Sequence, residues 1–300
     1  MEFKEKYAYL YNLLIENYGE NLTNEIVNGY LSNRKTTLRV NTLKTDINAV
    51  KQQLSDNKIE FLSVPWADYA LILENADETA IYNLDIFKNG EIYLQNLSSM
   101  IPCIVLSPKN NADILDMAAA PGGKTTQLAM LTNNTAHITA CEFNKARAEK
   151  LKYNLTMQGA KAYVMNADSR TLSDFLSFDQ ILLDAPCSGS GTVSLDPSYK
   201  GEFNDKNLKK TVSLQKAMLK KAINLLKKGH SMTYSTCSVL KQENEEVVLE
   251  AIKSGNCFIE EIDENAFEGV PTLPTSIKGT LCVKPNELYE GFFVAKITKK

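Results

Sequence analysis

The sequence has few cysteines, the residues that small secreted proteins use for disulfides and that many zinc proteins use as ligands. It contains six cysteines in 300 residues, and no two of them are spaced as CxxC. A disulfide framework or a structural zinc site is therefore not expected, and we predict no bound metal. Four cysteines lie in apolar runs, which is typical of small core residues: Cys103, Cys141, Cys257 and Cys282.

Long apolar runs are also absent. None approaches the roughly 20 residues that span a bilayer. The N-terminal stretch MEFKEKYAYLYN lacks the charged-then-apolar layout of a signal peptide. With 44% hydrophobic and 23% charged residues, the composition is that of an ordinary globular chain. These features predict a cytoplasmic protein without membrane contact, and we expect a monomer.

Charge of one sign does not dominate, because the formal net charge is −3. Basic residues are nevertheless concentrated in the stretch 206–228 and around Arg34, Lys35, Arg39 and Lys44. Two interpretations stay open for these groups. They can be solvated helix faces, the more common case, or a surface that binds phosphates.

The hydrophobic pattern divides the chain into two parts near the turn at Asn89-Gly90. In residues 1–90 it predicts helices at 3–17, 22–31 and 46–57 and strands at 36–42, 61–66 and 69–73, which make a small α/β unit. Residues 91–300 start with an extended stretch that becomes helical near Ser98 and then alternate between strands and helices. The expected strands are 113–116, 137–141, 162–165, 179–184, 231–235, 257–260 and 291–297. The expected helices are 123–132, 144–157, 207–227 and 241–253. This alternation indicates a parallel sheet covered on both faces.

The central stretch is NADILDMAAAPGGKTT, residues 111–126. A short apolar strand ends at Asp116, and a turn of small residues then leads into a helix, as in cofactor-binding α/β proteins. The dinucleotide pattern GxGxxG is absent, and Ala118 stands where a P-loop needs its first glycine. An ordinary tight turn, a cofactor turn and a nucleoside-triphosphate site at Gly123-Lys124-Thr125 are the alternatives at this point.

Acidic residues follow four successive predicted strands. Ligands of such sheets bind at the carboxyl ends of the strands, and the acids found there are Asp116, Glu142, Asp168 and Asp184. A single acidic residue after a strand is often only a helix cap. Four acidic residues at successive strand ends indicate a ligand that contains a nucleoside but no phosphate. S-adenosylmethionine fits, because Glu142 can accept the ribose hydroxyls, Asp168 the adenine amino group, and a sulfonium tolerates Asp184 nearby.

Two cysteines follow the fourth and fifth of these strands, in DAPCSG (Cys187) and STCSV (Cys237). If the two strands are neighbours, both thiols overhang one crevice. They can be inert, they can form a disulfide, or at least one can be a nucleophile, which we favour. A thiolate that adds to carbon 6 of a cytosine makes carbon 5 nucleophilic enough to accept a methyl group.

Three motifs resemble those of the RNA cytosine-5 methyltransferases of the Nop/Sun (RsmB/RsmF-like) family. They are DMAAAPGGKTT, LLDAPCSGSGT and YSTCSVLKQENEEVV, and RVNTLKT, IYLQNLSSM and GFFVAKI agree with them. The resemblance covers about residues 36–300. It implies a Rossmann-like class I methyltransferase sheet, mostly parallel with an antiparallel last strand, in residues 91–300. It also implies a small RNA-recognition-like α/β domain in residues 1–90.

The same resemblance assigns roles to particular residues. It implies that Cys237 is the nucleophile and that Cys187 helps to release the product. It also implies that Asp184 and Lys124 touch the base. The Arg34, Lys35 and Arg39 cluster is expected to contact RNA. The implied cofactor contacts are Ala118, Ala119, Ala120, Pro121, Gly122, Gly123, Lys124, Glu142, Asp168 and Asp184.

The predicted function is cytosine-5 methylation of RNA with S-adenosylmethionine, on ribosomal RNA first and transfer RNA second. A non-catalytic RNA assembly factor is the alternative from another class. One departure from the family pattern is Lys284, which precedes Pro285 where many members carry an aromatic residue or arginine. The chain also ends directly after the last predicted strand, so we expect RNA selection to come from the N-terminal unit, the lysine-rich helix or a partner.

Overall fold

The computed structural model describes residues 3–194 and 201–300. Within these ranges the chain forms one four-stranded and one nine-stranded β-sheet.

Two helices open the chain, α1 (Phe3–Lys6) and α2 (Ala8–Leu31), and α2 is interrupted at Gly19 by a backbone φ of 75°. Leu10 and Leu14 of these helices are fully buried in the same apolar cluster as Leu183 and Phe293, which lie far along the chain. The predicted helical pattern is confirmed. The N-terminal helices pack on the large sheet, and the boundary at residue 90 stays a prediction.

The small sheet follows and is antiparallel throughout. Its strands are β1 (Thr37–Val40), β2 (Phe61–Val64), β3 (Ala67–Leu73) and β4 (Ile92–Leu94). Their spatial order is β2-β3-β1-β4. The helices among them are α3 (Ile47–Asp56), α4 (Glu78–Tyr82) and α5 (Asp85–Lys88). The Asp46 side chain caps α3 by accepting from two backbone N–H groups, and Val50 and Leu54 of this helix pack into the sheet's core.

The large sheet occupies the rest of the chain. Its strands are β5 (Asp113–Asp116), β6 (His137–Cys141), β7 (Tyr163–Met165), β8 (Gln180–Asp184), β9 (Ser231–Thr236), β10 (Cys257–Glu260), β11 (Thr272–Leu273), β12 (Leu281–Val283) and β13 (Phe292–Lys299). Its helices are α6 (Leu97–Leu106), α7 (Gly123–Leu131), α8 (Lys145–Gln158), α9 (Asp205–Leu225) and α10 (Glu245–Lys253). The order is β11-β12-β13-β9-β8-β5-β6-β7, and β10 pairs with β13.

Both faces of this sheet are covered, as predicted. Side chains alternate along a strand, so Ile114 packs with α6 and α7 while its neighbour Leu115 packs with α2 and α9. In β8, Leu182 packs on the side of α6 and α7, and Leu183 packs on the side of α2 and α9. Strands buried on both faces explain why these segments are continuous apolar runs.

The sheet is parallel from β7 to β9, and β13 is antiparallel, which confirms the predicted fold class. The segment 257–260, expected among the parallel strands, instead pairs antiparallel with β13. Strands β11 and β12 were not predicted. They have two and three residues, which is too short for a recognisable alternation pattern.

The helices within residues 3–194 and 201–300 include none that is both long and apolar enough to cross a bilayer. The predicted location in the cytoplasm stays a prediction.

Candidate active site

The turn after β5 has the small residues that its backbone path requires. Gly122 has a φ of 113°, which L side chains rarely adopt, and precedes the first residue of α7. A Cβ on Gly123 would lie 3.2 Å from the Tyr93 ring. The Ala119 N–H donates to the Cys141 carbonyl at 2.9 Å, which ties the turn to the end of β6. Glycine is therefore required at Gly122 by the backbone conformation and favoured at Gly123 by the close approach of Tyr93.

A cleft of about 710 Å³ lies between this turn and the residues of the small β-sheet and its neighbouring segments. This volume is within the usual range for small-molecule sites. One wall contains the predicted cofactor residues Ala118–Pro121, Gly123, Lys124 and Asp184, and the other contains Arg34, Lys35, Tyr93 and Gln95.

Lys124 and Asp184 form an ion pair at this cleft, with Nζ and Oδ2 2.8 Å apart. Lys124 also donates to Ser99 Oγ at 2.8 Å, and the Ser235 hydroxyl donates to Asp184 Oδ1 at 2.8 Å. Burial lowers the pKa of Lys124, but the charge and the hydrogen bond of Asp184, with smaller contributions from the two nearby thiols, together raise it above its ordinary value. Lys124 therefore stays charged beside the ends of β5 and β8.

Asp116 lies behind the turn and is fully buried. Its Oδ2 accepts from the Thr125 hydroxyl at 2.7 Å, while Oδ1 has no hydrogen-bond partner. Burial raises the pKa of Asp116 to about 6.

The two predicted nucleoside acids lie along the same sheet edge, after β6 and β7. Glu142 is 5% exposed, accepts from the Asn144 N–H at 2.8 Å and lies 3.5 Å from Arg147. Asp168 is paired with Arg170, whose hydrogen bonds lower the pKa of the Asp168 carboxyl. Each acid thus has a local partner, and neither is among the residues that line the cleft.

Cys187 and Cys237 are brought together as the strand order requires, because β8 and β9 are adjacent. Their sulfur atoms are 2.9 Å apart, and both residues are free thiols with partial exposure. The hydrogen bond between them, burial and nearby Glu243 all raise the pKa of Cys187 well above its usual value. The Lys124 ammonium, in turn, interacts electrostatically with Cys237.

The chain matches known proteins over most of its length. Residues 103–298 match the family model of the 16S rRNA methyltransferase RsmB/F, and residues 8–79 match the ferredoxin-like domain of the same group. The chain belongs to the RsmB/F methyltransferase family. The family resemblance predicted from the three motifs is thereby confirmed.

Several relatives of this RsmB/F chain are similar over most of its length. Ribosomal RNA small subunit methyltransferase F of Pectobacterium atrosepticum is 36% identical over 276 residues, which are 88% of this chain and 56% of the relative. The same enzyme of Shewanella loihica is 35% identical over 275 residues, with the same shares of 88% and 56%. The chain thus spans a little over half the length of these curated relatives.

Two solved structures of Pyrococcus horikoshii proteins resemble the fold. A methyltransferase homolog has a TM-score of 0.83 and 32% identity, covering 99% of this chain and 95% of the other. NSun6, crystallised with SFG, an analogue of S-adenosylmethionine, has a TM-score of 0.85 at 24% identity, covering 97% of each chain. The second likeness concerns the fold alone.

One expectation about the basic residues is wrong. Arg39 was expected to contact RNA, but it is 0% exposed and donates to Gln95 Oε1 at 3.0 Å and Thr126 Oγ1 at 2.8 Å. Burial lowers the pKa of Arg39 to about 10. Its guanidinium joins the small sheet to α7 and is out of reach of a macromolecule. A single sequence does not distinguish a buried arginine from an exposed one.

Other basic residues already have acidic partners. Arg34 pairs with Glu290 at 3.1 Å and Lys35 with Glu74 at 2.8 Å, both at the rim of the cleft. In the lysine-rich helix α9, three lysines pair with acids: Lys209, Lys216 and Lys221. These pairs favour the solvated-face interpretation for those three side chains.

Sequence reasoning missed two acids of the site. Glu290 lines the cleft, and burial raises its pKa despite nearby Arg34 and Lys124. Glu243 is 0% exposed behind the two cysteines. Glu243 lies inside the motif YSTCSVLKQENEEVV, so the signal was its presence in a recognised segment, but nothing in that segment indicates which of its acids is buried.

Proposed function

We propose that this chain transfers a methyl group from S-adenosylmethionine to carbon 5 of a cytosine in RNA. Ribosomal RNA is the favoured substrate, in line with the names of the curated relatives, and transfer RNA is the second. The observation that carries the proposal is the pair of free thiols 2.9 Å apart beside the Lys124–Asp184 ion pair.

The residues along the sheet edge fit the cofactor. The turn Ala118–Lys124 would receive its amino-acid end, since all of its residues except Gly122 line the cleft. Glu142 would accept the ribose hydroxyls and Asp168 the adenine amino group. When bound, the cofactor supplies a methyl group on a positively charged sulfur. Asp184 and the other acids stabilise that charge without a phosphate partner.

The two cysteines divide the chemistry. The Cys237 thiolate would add to carbon 6 of the cytosine, and carbon 5 would then take the methyl group as its bond to the cofactor sulfur breaks. Loss of the carbon 5 proton to water re-forms the ring double bond and expels the Cys237 thiolate. Cys187 assists this release from its position against the Cys237 sulfur. Lys124 and Asp184 hold the base against the thiol.

RNA would reach the site across the cleft. The target base must leave its stack to meet a partly buried thiol, so single-stranded loops are better substrates than intact helices. We assign RNA binding to the unit within residues 1–90, with Arg34 and Lys35 at the rim, and methyl transfer to residues 91–300.

Alanine variants of the cysteines test the proposal. Cys237→Ala should abolish 5-methylcytosine formation from labelled cofactor and total RNA. Cys187→Ala should form the adduct but release it slowly, which gives a protein–RNA band in a denaturing gel. Cys257→Ala, in the core away from the cleft, is the matched control and should keep normal activity.

Full activity of the Cys237→Ala protein would refute its role as nucleophile. If RNA binds but no variant or wild-type protein transfers methyl groups, the chain is instead a non-catalytic assembly factor.

A further inference from the structure

The two thiols of the site are placed at bonding range by the sheet itself. Strands β8 and β9 are parallel neighbours with Asp184 opposite Ser235, and Cys187 and Cys237 follow these two residues by three and two positions. Neighbouring strands lie about 4.8 Å apart, which is within the Cα spacing of about 4.4–6.8 Å that a disulfide needs. The sulfur atoms are already 2.9 Å apart. Rotation of the two side chains is therefore the main movement needed to join them.

Hydrogen bonds hold the two loops at this spacing. The hydroxyls of Ser188 and Ser238 both donate to Glu243 Oε2, at 2.5 Å and 2.6 Å. Ser188 directly follows Cys187, and Ser238 directly follows Cys237. The short distance between the sulfur atoms is thus a property of the folded chain and does not depend on a bound substrate.

The pair also differs from the other cysteines in exposure. Cys187 and Cys237 are both partly exposed free thiols. The other four are only 0–1% exposed: Cys103, Cys141, Cys257 and Cys282. Oxidants react with thiols that they can reach, so oxidation of this protein should begin at the pair and spare the core.

We propose that Cys187 and Cys237 form a reversible oxidation switch, in which a peroxide converts the two thiols to an intramolecular disulfide and a dithiol reductant restores them. In the first step, peroxide oxidises one thiol to a sulfenic acid and releases one water. The partner thiol then attacks that sulfur, the S–O bond breaks, and a second water leaves. Two electrons thus pass from the two sulfur atoms to one peroxide molecule. Either cysteine can be oxidised first, because the product is the same.

The disulfide would have two consequences. It withdraws the proposed nucleophile, since a sulfur atom bonded to another sulfur cannot add to carbon 6 of a cytosine. It also protects the site, because a sulfenic acid that condenses with a neighbouring thiol does not proceed to the irreversible sulfinic acid. The switch rests on the proposed function for its effect on methylation, but not for its sulfur chemistry.

The first test is mass spectrometry of wild-type protein treated with hydrogen peroxide, alkylated and digested without reduction. The expected product is a peptide pair that joins Cys187 to Cys237 and disappears after treatment with dithiothreitol. Cys257→Ala is the matched control and should form the same pair at the same rate. Oxidation of either thiol to sulfinic acid without this peptide pair would overturn the proposal.

The second test removes the partner thiol. In Cys187→Ala, an oxidised Cys237 has lost the sulfur that lies 2.9 Å away in the wild-type protein. Cys237 should therefore reach the sulfinic acid, which dithiothreitol does not reduce, several-fold faster than in wild type. If Cys237 stays equally recoverable in this variant, Cys187 is not the thiol that resolves the sulfenic acid, and the proposal fails.

Methyl transfer measured on the same samples tests the switch itself. Peroxide-treated wild-type protein should lose activity on RNA in proportion to the crosslinked fraction and regain it with dithiothreitol. Full activity of the crosslinked protein would contradict the switch. If the untreated protein methylates no RNA, the proposed function fails instead, and the peptide analysis still decides whether the two thiols form the bond.

Discussion

At the scale of single residues, the site depends on buried ionisable groups whose charges are set by specific neighbours. Lys124 is held charged by Asp184, and Cys187 is held as a thiol by Cys237, burial and Glu243. Arg39 shows the same principle in a structural role, since its guanidinium is satisfied by neutral acceptors at full burial. Residue type alone therefore does not fix the charge state.

Asp116 gives a pH-dependent prediction. Its pKa rises from the ordinary 3.8 to about 6 on folding. The folded state therefore binds this proton more tightly, and the resulting stability is present below about pH 4 and lost as the pH rises through 6. The free energy of unfolding of Asp116→Asn relative to wild type should therefore increase by about 2 kcal/mol between about pH 4 and pH 7.

Chemical unfolding at several pH values measures this difference, and any constant offset of the asparagine cancels. The exposed Asp68→Asn serves as control and should show no such trend. A pH-independent difference for Asp116→Asn would show that Asp116 is ionised throughout.

At the scale of elements, the site is made where strand ends meet. The end of β5 carries the turn that we propose holds the cofactor, and the ends of β8 and β9 carry one thiol each. The start of β13 closes against the Cys187 loop: the Gly291 N–H donates to the Gly191 carbonyl at 2.8 Å, and the Gly191 N–H donates to the Cys237 carbonyl at 3.0 Å. Two glycines thus connect the thiol loops to an antiparallel strand.

Gly191→Ala should break this connection. The added Cβ would lie 1.9 Å from the Gly291 carbonyl oxygen, which forces backbone movement and should cost about 3 kcal/mol or more. Activity should fall with it, because Gly191 holds the Cys237 loop. Gly229→Ala, with a φ of +72° but open space, should cost only about 1 kcal/mol. Equal losses of stability in the two variants would contradict the close approach.

At the scale of the whole molecule, the N-terminal helices belong to the core of the large sheet. Tyr18 of α2 donates to the Val239 carbonyl, just after Cys237, and Asn17 accepts from the Lys241 N–H at 2.8 Å. Helix α2 therefore supports the loop that follows Cys237. More than 200 residues, including the whole small sheet, separate the two segments in sequence.

Leu14→Ala tests this integration. Truncating a fully buried leucine should lower the free energy of unfolding by about 2–5 kcal/mol. The single tryptophan, Trp66, lies against a cluster containing β12 and β13 residues, so its fluorescence should report the same shifted transition as circular dichroism. Leu62→Ala, which is 54% exposed on β2, should change stability by less than about 0.5 kcal/mol. Two separate transitions would show that the helices unfold independently.

Much of the fold and of the candidate site could be predicted from the sequence. Apolar periodicity located the strands of the parallel sheet, because each is a continuous buried run. Chain order then indicated which residues follow their carboxyl ends, so Cys187 and Cys237 were expected over one crevice, and their sulfur atoms lie 2.9 Å apart. The catalytic roles of both cysteines, Lys124 and Asp184 came from the family resemblance and stay predictions. The short strands β11 and β12 were missed because two or three residues carry no period.

Tertiary structure alone decided burial and partnership. Arg39 and Arg34 look alike in sequence, yet one is sealed beneath α7 and the other lies at the rim of the cleft. The acids of the motif ENEE are equally indistinguishable, yet Glu243 is the one whose carboxylate accepts hydrogen bonds from Ser188 and Ser238, the residues that follow the two cysteines. The physical reason is that a charge's environment comes from elements distant in the chain. Local pattern determines where a side chain stands along a strand or helix, but only packing determines what surrounds it.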